Sequence, residues 1–245
     1  MTNRRARRLL LAAALLAALP LARADDDAGA QRQAMLARLA APADAAVKPW
    51  PGVPDRTLVG WTVLRPGDDA GTDVVDLTLV LTQTSTGRPL ARGVFPAAWG
   101  SDAVEFRSLS FDTAPWALAV GQRTFGLRAH FSHPGRLTSV EQENLWLFDV
   151  RGSTIVPVLS HLLVDETMES GQCGVYRERH ATLAIAPTRS HGHADLKLDA
   201  QGMDAKDWRV EPPATCMDAV TRHWQGLLRY DGTRYVVPAS IGRLH

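Results

Sequence analysis

Residues 73 to 83 constrain this chain more than any other stretch. Val75, Leu77, Leu79 and Leu81 fall on every second position, interleaved with Val74, Asp76, Thr78, Val80 and Thr82. Successive side chains of a strand point to opposite faces, so this spacing gathers four apolar groups on one face; a helix would scatter them around its circumference. Ser85-Thr86-Gly87 then offers turn chemistry, and Leu90 to Phe95 reads as the returning partner. Comparable units follow at Phe106 to Phe111, Phe125 to Phe131, Leu145 to Phe148 with Ile155 to Leu159, and Leu183 to Ile185 with Leu196 and Leu198. The last is Leu227 to Tyr230 and Tyr235 to Val237 around Asp231-Gly232, a pair that favours tight hairpins because both turn positions need positive φ. No long helical pattern interrupts the series, which argues against alternating strands and helices. The expectation is an all-β domain, arranged as an antiparallel sandwich, barrel or propeller.

The N-terminus reads differently. Arg4, Arg5, Arg7 and Arg8 precede an almost unbroken Leu/Ala run from Leu9 to Leu21. That run is about 13 residues, whereas a helix crossing a bilayer needs about 20, so it reads as a cleavable secretory signal over residues 1–24 and not as a transmembrane span. Ala22-Arg23-Ala24 places small residues where a signal peptidase reads, predicting a mature chain that starts at Asp25 in the periplasm or outside the cell. The twin-arginine route stays open beside the general one, since two arginine pairs precede the apolar run. Removing five arginines and no acids changes the balance from 27 against 26 to 22 against 26, about −4. Neither that charge nor any Lys/Arg run provides the basic face of a nucleic-acid binder.

Residues 25–56 are expected to form a short helix, with Met35, Leu36 and Leu39 at helical spacing, followed by a tether holding Pro42, Pro49, Pro51 and Pro54. Residues 57–245 then make one β-rich domain, an ordinary size for such a fold. The cysteines, Cys173 and Cys216, read as a disulfide in an oxidising compartment. On the chain-entropy account, closing that ring stabilises by roughly 4 kcal/mol.

Several segments in order carry a resemblance: Asp76 to Leu81 with Ser85-Thr86-Gly87-Arg88, Ser101-Asp102-Ala103-Val104, Phe111 to Trp116, Thr124 to Arg128, Gly192 to Leu196, and Leu228 to Tyr235. Across residues 57 to 238 the chain resembles a family of secreted proteobacterial proteins without assigned activity, which implies an exported β-rich domain with one cysteine pair and transfers no catalytic residue. Its C-terminal part is also similar to FG-GAP-like β repeats. The Asp-x-Asp-Gly calcium loops that such repeats can carry are absent from the sequence.

Candidate site residues are few. His191 and His193, two apart, would share a metal ion if both faced one way on a strand and a third ligand approached, although Ser190 to Gly192 also reads as a turn, where histidines are mostly solvated; His130, His133, His161 and His180 lie elsewhere. Trp50, Trp99, Trp208 and Trp224 sit beside Pro, Gly or charge and are read as an exposed ligand surface, whereas Trp61, Trp116 and Trp146 fall within apolar patterns and read as core. Glu141 with Glu143, or Asp165 with Glu166, would serve as acid and base if a cleft brought them together. No nucleophile elbow, zinc helix or phosphate loop occurs in the sequence, and no cofactor motif stands out. The sequence thus favours a binding or envelope-accessory module, its partner an envelope protein or glycan. The alternative is a small hydrolase acting on an envelope polymer. A deep cleft with two carboxylates would favour the hydrolase; a flat Trp patch would favour binding.

Overall fold

The computed structural model describes residues 28–68, 71–170, 174–204 and 220–237. It is mostly β, with one short helix, α1, over 28–39. Eleven strands follow: β1 Ala46–Pro49, β2 Arg56–Pro66, β3 Asp73–Gln83, β4 Pro89–Ser101, β5 Glu105–Asp112, β6 Thr124–Pro134, β7 Thr138–Arg151, β8 Thr154–Ser170, β9 Gly174–Ser190, β10 His193–Asp204 and β11 Val220–Leu228. They belong to one hydrogen-bonded sheet in the order β1-β2-β3-β4-β8-β7-β6-β5, from which β9, β10 and β11 branch at β8. The sheet is open, which corrects the barrel reading, and its continuity leaves no separate blades for a propeller.

The long β8 makes the branch. Near its start it meets β4 in one parallel pairing, Arg92 with Thr154; near its end it pairs antiparallel with β9 from Asp165 to Ser170. Between these contacts the two arms diverge.

The main arm coils strongly. Lys48 Nζ on β1 donates to the Phe111 carbonyl on β5 at 3.0 Å, although no ladder joins these two edge strands. Gly60 on β2 permits this approach, since a Cβ there would lie 3.0 Å from Phe111 Cζ. The inside of the coil holds the first core, including Leu77, Leu79, Phe125, Trp146 and Phe148. The alternation along β3 thus points Val75, Leu77, Leu79 and Leu81 inward, each burial stabilising by roughly 1.5–3 kcal/mol. On the outer side of β7, Leu145 and Leu147 join a second core with Leu196, Leu198 and Leu228 of the β10–β11 arm. A third, small core lies outside β2 and β3, where Met35 and Leu36 of α1 cover Val59 and Val80.

Two connections differ from their sequence reading. The proline-rich tether contributes an edge strand, because β1 pairs with β2 from Ala46–Gly60 to Pro49–Thr57, and edges tolerate a residue that cannot donate. Asp231-Gly232 does not form a two-residue hairpin. Its turn spans Asp231 to Arg234, with the Asp231 carboxylate accepting from the Thr233 and Arg234 amides, and only Tyr230 and Tyr235 bridge beyond it.

Candidate functional site

A cavity of about 450 Å³ opens at one end of the coil, where β4, β6, β7 and β8 converge. Trp99, Phe131, Gln142 and His161 line it, together with Ser101 and Asp102. Two bulges shape its walls. On β4, Val75 faces Trp99 but Leu77 faces Phe95, so Pro96, Ala97 and Ala98 all stand opposite Asp76. Ala97 is left-handed, at φ +46°. On β8, Leu145 faces Leu162 and Leu147 faces Leu159, which leaves Ser160 and His161 opposite Trp146. His161 is also left-handed, at φ +56°. Bulges redirect side chains, and left-handed non-glycine residues cost about 1–2 kcal/mol, so both walls store strain.

Asp76 holds the first bulge. Its carboxylate accepts from Arg65 Nε at 2.6 Å and Arg65 Nη2 at 2.7 Å, and its Oδ1 also accepts the Ala97 amide at 2.8 Å. The Arg65 hydrogen bonds, followed by that amide, pull the Asp76 carboxyl down to about 2. The second bulge sets the His161 ring edge-on to Trp146, with centroids 4.5 Å apart. Trp146 in turn packs at 5.3 Å against Trp99, which stacks on Phe106. Trp99 Nε1 is buried without a hydrogen-bond partner among the described residues. Gln142 Nε2 donates to the buried Glu166 at 2.8 Å, fixing the amide at the cavity wall. The result is a recess with the Trp99, Phe131 and His161 rings in its wall and Thr72, Ser101, Asp102 and Gln142 adding polar groups, suited to holding a small molecule.

The expected tryptophan surface does not form. Trp50 is 5% exposed and Trp99 3% exposed: both belong to the first core, where Trp50 packs edge-on against Phe125. Neighbouring Pro and Gly belong to turns and bulges, and these turn the indoles inward. Trp224 is half-buried against the second core, with the Arg179 guanidinium 5.8 Å above its ring. Trp208 lies outside the described residues. Trp116 and Trp146 are buried, and Trp61 is partly buried against the third core.

His191 and His193 do not face a common ion. The spacing rule holds within a strand, but His191 and Gly192 form the β9–β10 turn, both with positive φ. His191 is exposed; His193 points inward and is 9% exposed. Its Nε2 lies 3.0 Å from Asp149 Oδ2, and its ring stacks on Tyr230 at 3.9 Å. Asp149 is fully buried and also accepts from Thr124 Oγ1 at 2.7 Å and Arg151 at 3.3 Å. Tyr235 donates to the Ala194 carbonyl at 2.6 Å, and burial pushes its phenol well above the ordinary range, so it stays a neutral donor. This cluster clamps the C-terminal segment to β7 and β10. No group of three potential metal ligands occurs among the described residues.

Strand alternation separates Asp165 from Glu166 and keeps Glu141 with Glu143. Glu166 is buried and accepts from Gln142, whereas Asp165 faces out and meets His180 at 3.2 Å. Glu141 and Glu143 share the outer face with Asp165 around a shallow depression of about 170 Å³. There Glu141 pairs with His130 at 2.9 Å and Glu143 with Arg128, which also binds Asp112 at 2.9 Å. His133 Nδ1 instead donates to the Ala103 carbonyl, at 2.8 Å.

Both cysteines lie outside the described residues, as does the expected signal segment. The strands flanking Cys173 and Cys216 finish at one end of the β8–β11 arm: Asp204 pairs with Arg177 on β9 and with Val220 on β11. No described helix is long and apolar enough to cross a membrane.

Asp76, Ala97, Gln142 and His161 were not legible as site residues. Asp76 was the one sequence signal, an acid within an apolar alternation. Comparison of the chain with known protein families, curated proteins and solved structures gives no match.

Proposed function

We propose that this chain is an exported, β-rich binding module of the bacterial envelope that holds a compact, uncharged ring compound in the cavity between the two bulges. The observation that carries this reading is the convergence of two independently strained bulges, at Ala97 and His161, on one aromatic recess. Strain of that kind persists where the surrounding structure over-determines it, and it gathers at binding sites. Ser101 supplies the polar complement: its hydroxyl oxygen accepts the Phe106 amide at 3.1 Å, and its own proton has no acceptor among the described residues. A hydrogen bond from that hydroxyl to a carbonyl or ether oxygen on the ligand is worth about 0.5–1.5 kcal/mol. Export is supported by the arginine-rich start and the Leu/Ala run, and a Cys173–Cys216 disulfide fits the common end of the arm that their flanking strands reach.

The hydrolase alternative rests on Glu141, Glu143 and Asp165. These acids sit in a shallow depression, each with a histidine or arginine partner, so the binding reading is preferred.

The probe is benzamide, which joins a ring to a carbonyl acceptor. Titrated into isotope-labelled mature protein, it should shift the Phe131 and His161 resonances, and Ser101→Ala, which loses the hydroxyl, should weaken binding about fivefold. Shifts confined to the surface, or equal affinity in the Ser101→Ala variant, would refute the reading.

A further inference from the structure

A second recess, of about 360 Å³, lies on the opposite, outer side of the coil between the end of α1 and β4. Its apolar floor includes Leu39 and the buried Val80, and its rim carries Arg38, Arg92 and Ser153. The recess exists because β4 meets β8 only at Arg92 and Thr154, and α1 stops at Ala40, whose φ of +51° ends the helix. Val94, two residues beyond Arg92 on β4, is 55% exposed and extends the apolar surface.

The charges at this rim are uncompensated. Among the described residues neither the Arg38 nor the Arg92 side chain takes part in a hydrogen bond or ion pair, whereas Arg65, Arg107, Arg128 and Arg151 all do. Arg38 has one structural reason to be there, since a cation is favoured in the last turn of a helix, where the dipole amounts to about half a negative charge. Arg92 is on a strand and has no such reason. Two full charges therefore outweigh the helix end.

We propose that this recess binds an anionic amphiphile: one acyl chain lies against Leu39, Val80 and Val94, while its carboxylate or phosphate is held by Arg38 and Arg92. Guanidinium groups suit both head groups through paired, charge-assisted hydrogen bonds, and the Ser153 hydroxyl can donate a further one. This site is separate from the aromatic cavity and stands or falls independently of the function proposed for it.

The test is calorimetric titration of the mature protein with monomeric dodecanoate and dodecyl phosphate, beside dodecyltrimethylammonium and inorganic phosphate. Both anionic amphiphiles should bind, the cationic one should not, and inorganic phosphate should bind at least tenfold more weakly than dodecyl phosphate. Arg38→Gln and Arg92→Gln should each weaken dodecanoate binding about tenfold, and Arg136→Gln, at an exposed arginine elsewhere, should leave it unchanged. The Arg38 and Arg92 side chains are exposed and make no hydrogen bond or ion pair among the described residues, and glutamine keeps the backbone contacts, so folding is preserved. Equal binding of the cationic amphiphile, or full affinity in the Arg38/Arg92 double variant, overturns the proposal. Sedimentation with phosphatidylglycerol and phosphatidylcholine vesicles separates the sources: capture by the anionic vesicles without uptake of monomeric dodecanoate would mean surface adsorption and also overturn it.

Discussion

Ala97 shows how a single residue can report on purpose. An L-residue held left-handed costs about 1–2 kcal/mol, and glycine removes that cost while losing somewhat less through its freer unfolded chain. Ala97→Gly should therefore stabilise the fold by up to about 1 kcal/mol, a rise of about 2–4 °C in melting temperature, measurable by calorimetry. A lower melting temperature would show that the alanine methyl contributes packing that outweighs the strain. Asp76 adds a pH dependence to the same bulge. Its folded carboxyl is drawn from 3.8 down to about 2, so its contribution is present in full above about pH 4 and is lost as pH falls from there towards 2. Asp76→Asn should flatten that part of the acid unfolding curve; an unchanged curve would mean that other carboxylates set it. Neither residue was legible as a site, because a bulge without glycine leaves no mark on an apolar alternation. The tryptophans misled for a related reason: a proline or glycine neighbour signals a bend in the backbone, but the bend at Trp50 and Trp99 aims the ring into the core.

At the scale of elements, period two was a dependable guide and spacing across a turn was not. The β3 alternation, the β6–β7 hairpin and the β9–β10 pairing all follow from apolar residues at every second position. His191 and His193 also stand two apart, but the left-handed turn between β9 and β10 removes the shared face, and His193 becomes part of the buried Asp149 cluster. That cluster is expected to be costly to break. Asp149→Ala would leave His193, Thr124 and Arg151 without their common acceptor, and denaturant unfolding should show a loss of about 3–5 kcal/mol. A loss below about 1 kcal/mol would mean that the cluster is dispensable to the clamp. The branch at β8 had no sequence signal at all, because pairing a strand with two different neighbours along its length depends on where distant segments arrive.

For the whole molecule, the two larger cores share a wall one strand thick. Trp146 and Phe148 of β7 face one of them, Leu145 and Leu147 the other. Neither core can lose β7 without exposing the other, so heating should give one calorimetric transition whose van't Hoff and calorimetric enthalpies agree. Two resolved transitions would show that the β9–β11 arm unfolds by itself. Export belongs to this scale as well: mass spectrometry of periplasmic material should find an N-terminus at or near Asp25, and an intact Met1 on the protein there would refute cleavage.

The edge where β1 meets β5 carries a further consequence. Among the described residues no ladder joins these strands, and the contact through Lys48 and the close fit of Phe111 against Gly60 of β2 are what hold the seam, so opening there breaks no ladder. Such a coil resembles a rolled sheet of paper more than a tube: its girth can change by slippage along one line while every paired strand stays intact. Uptake into its interior would then be paced by the breathing of that line, with no hinged lid required, and proton exchange along β5 should be the first place where that rhythm is heard.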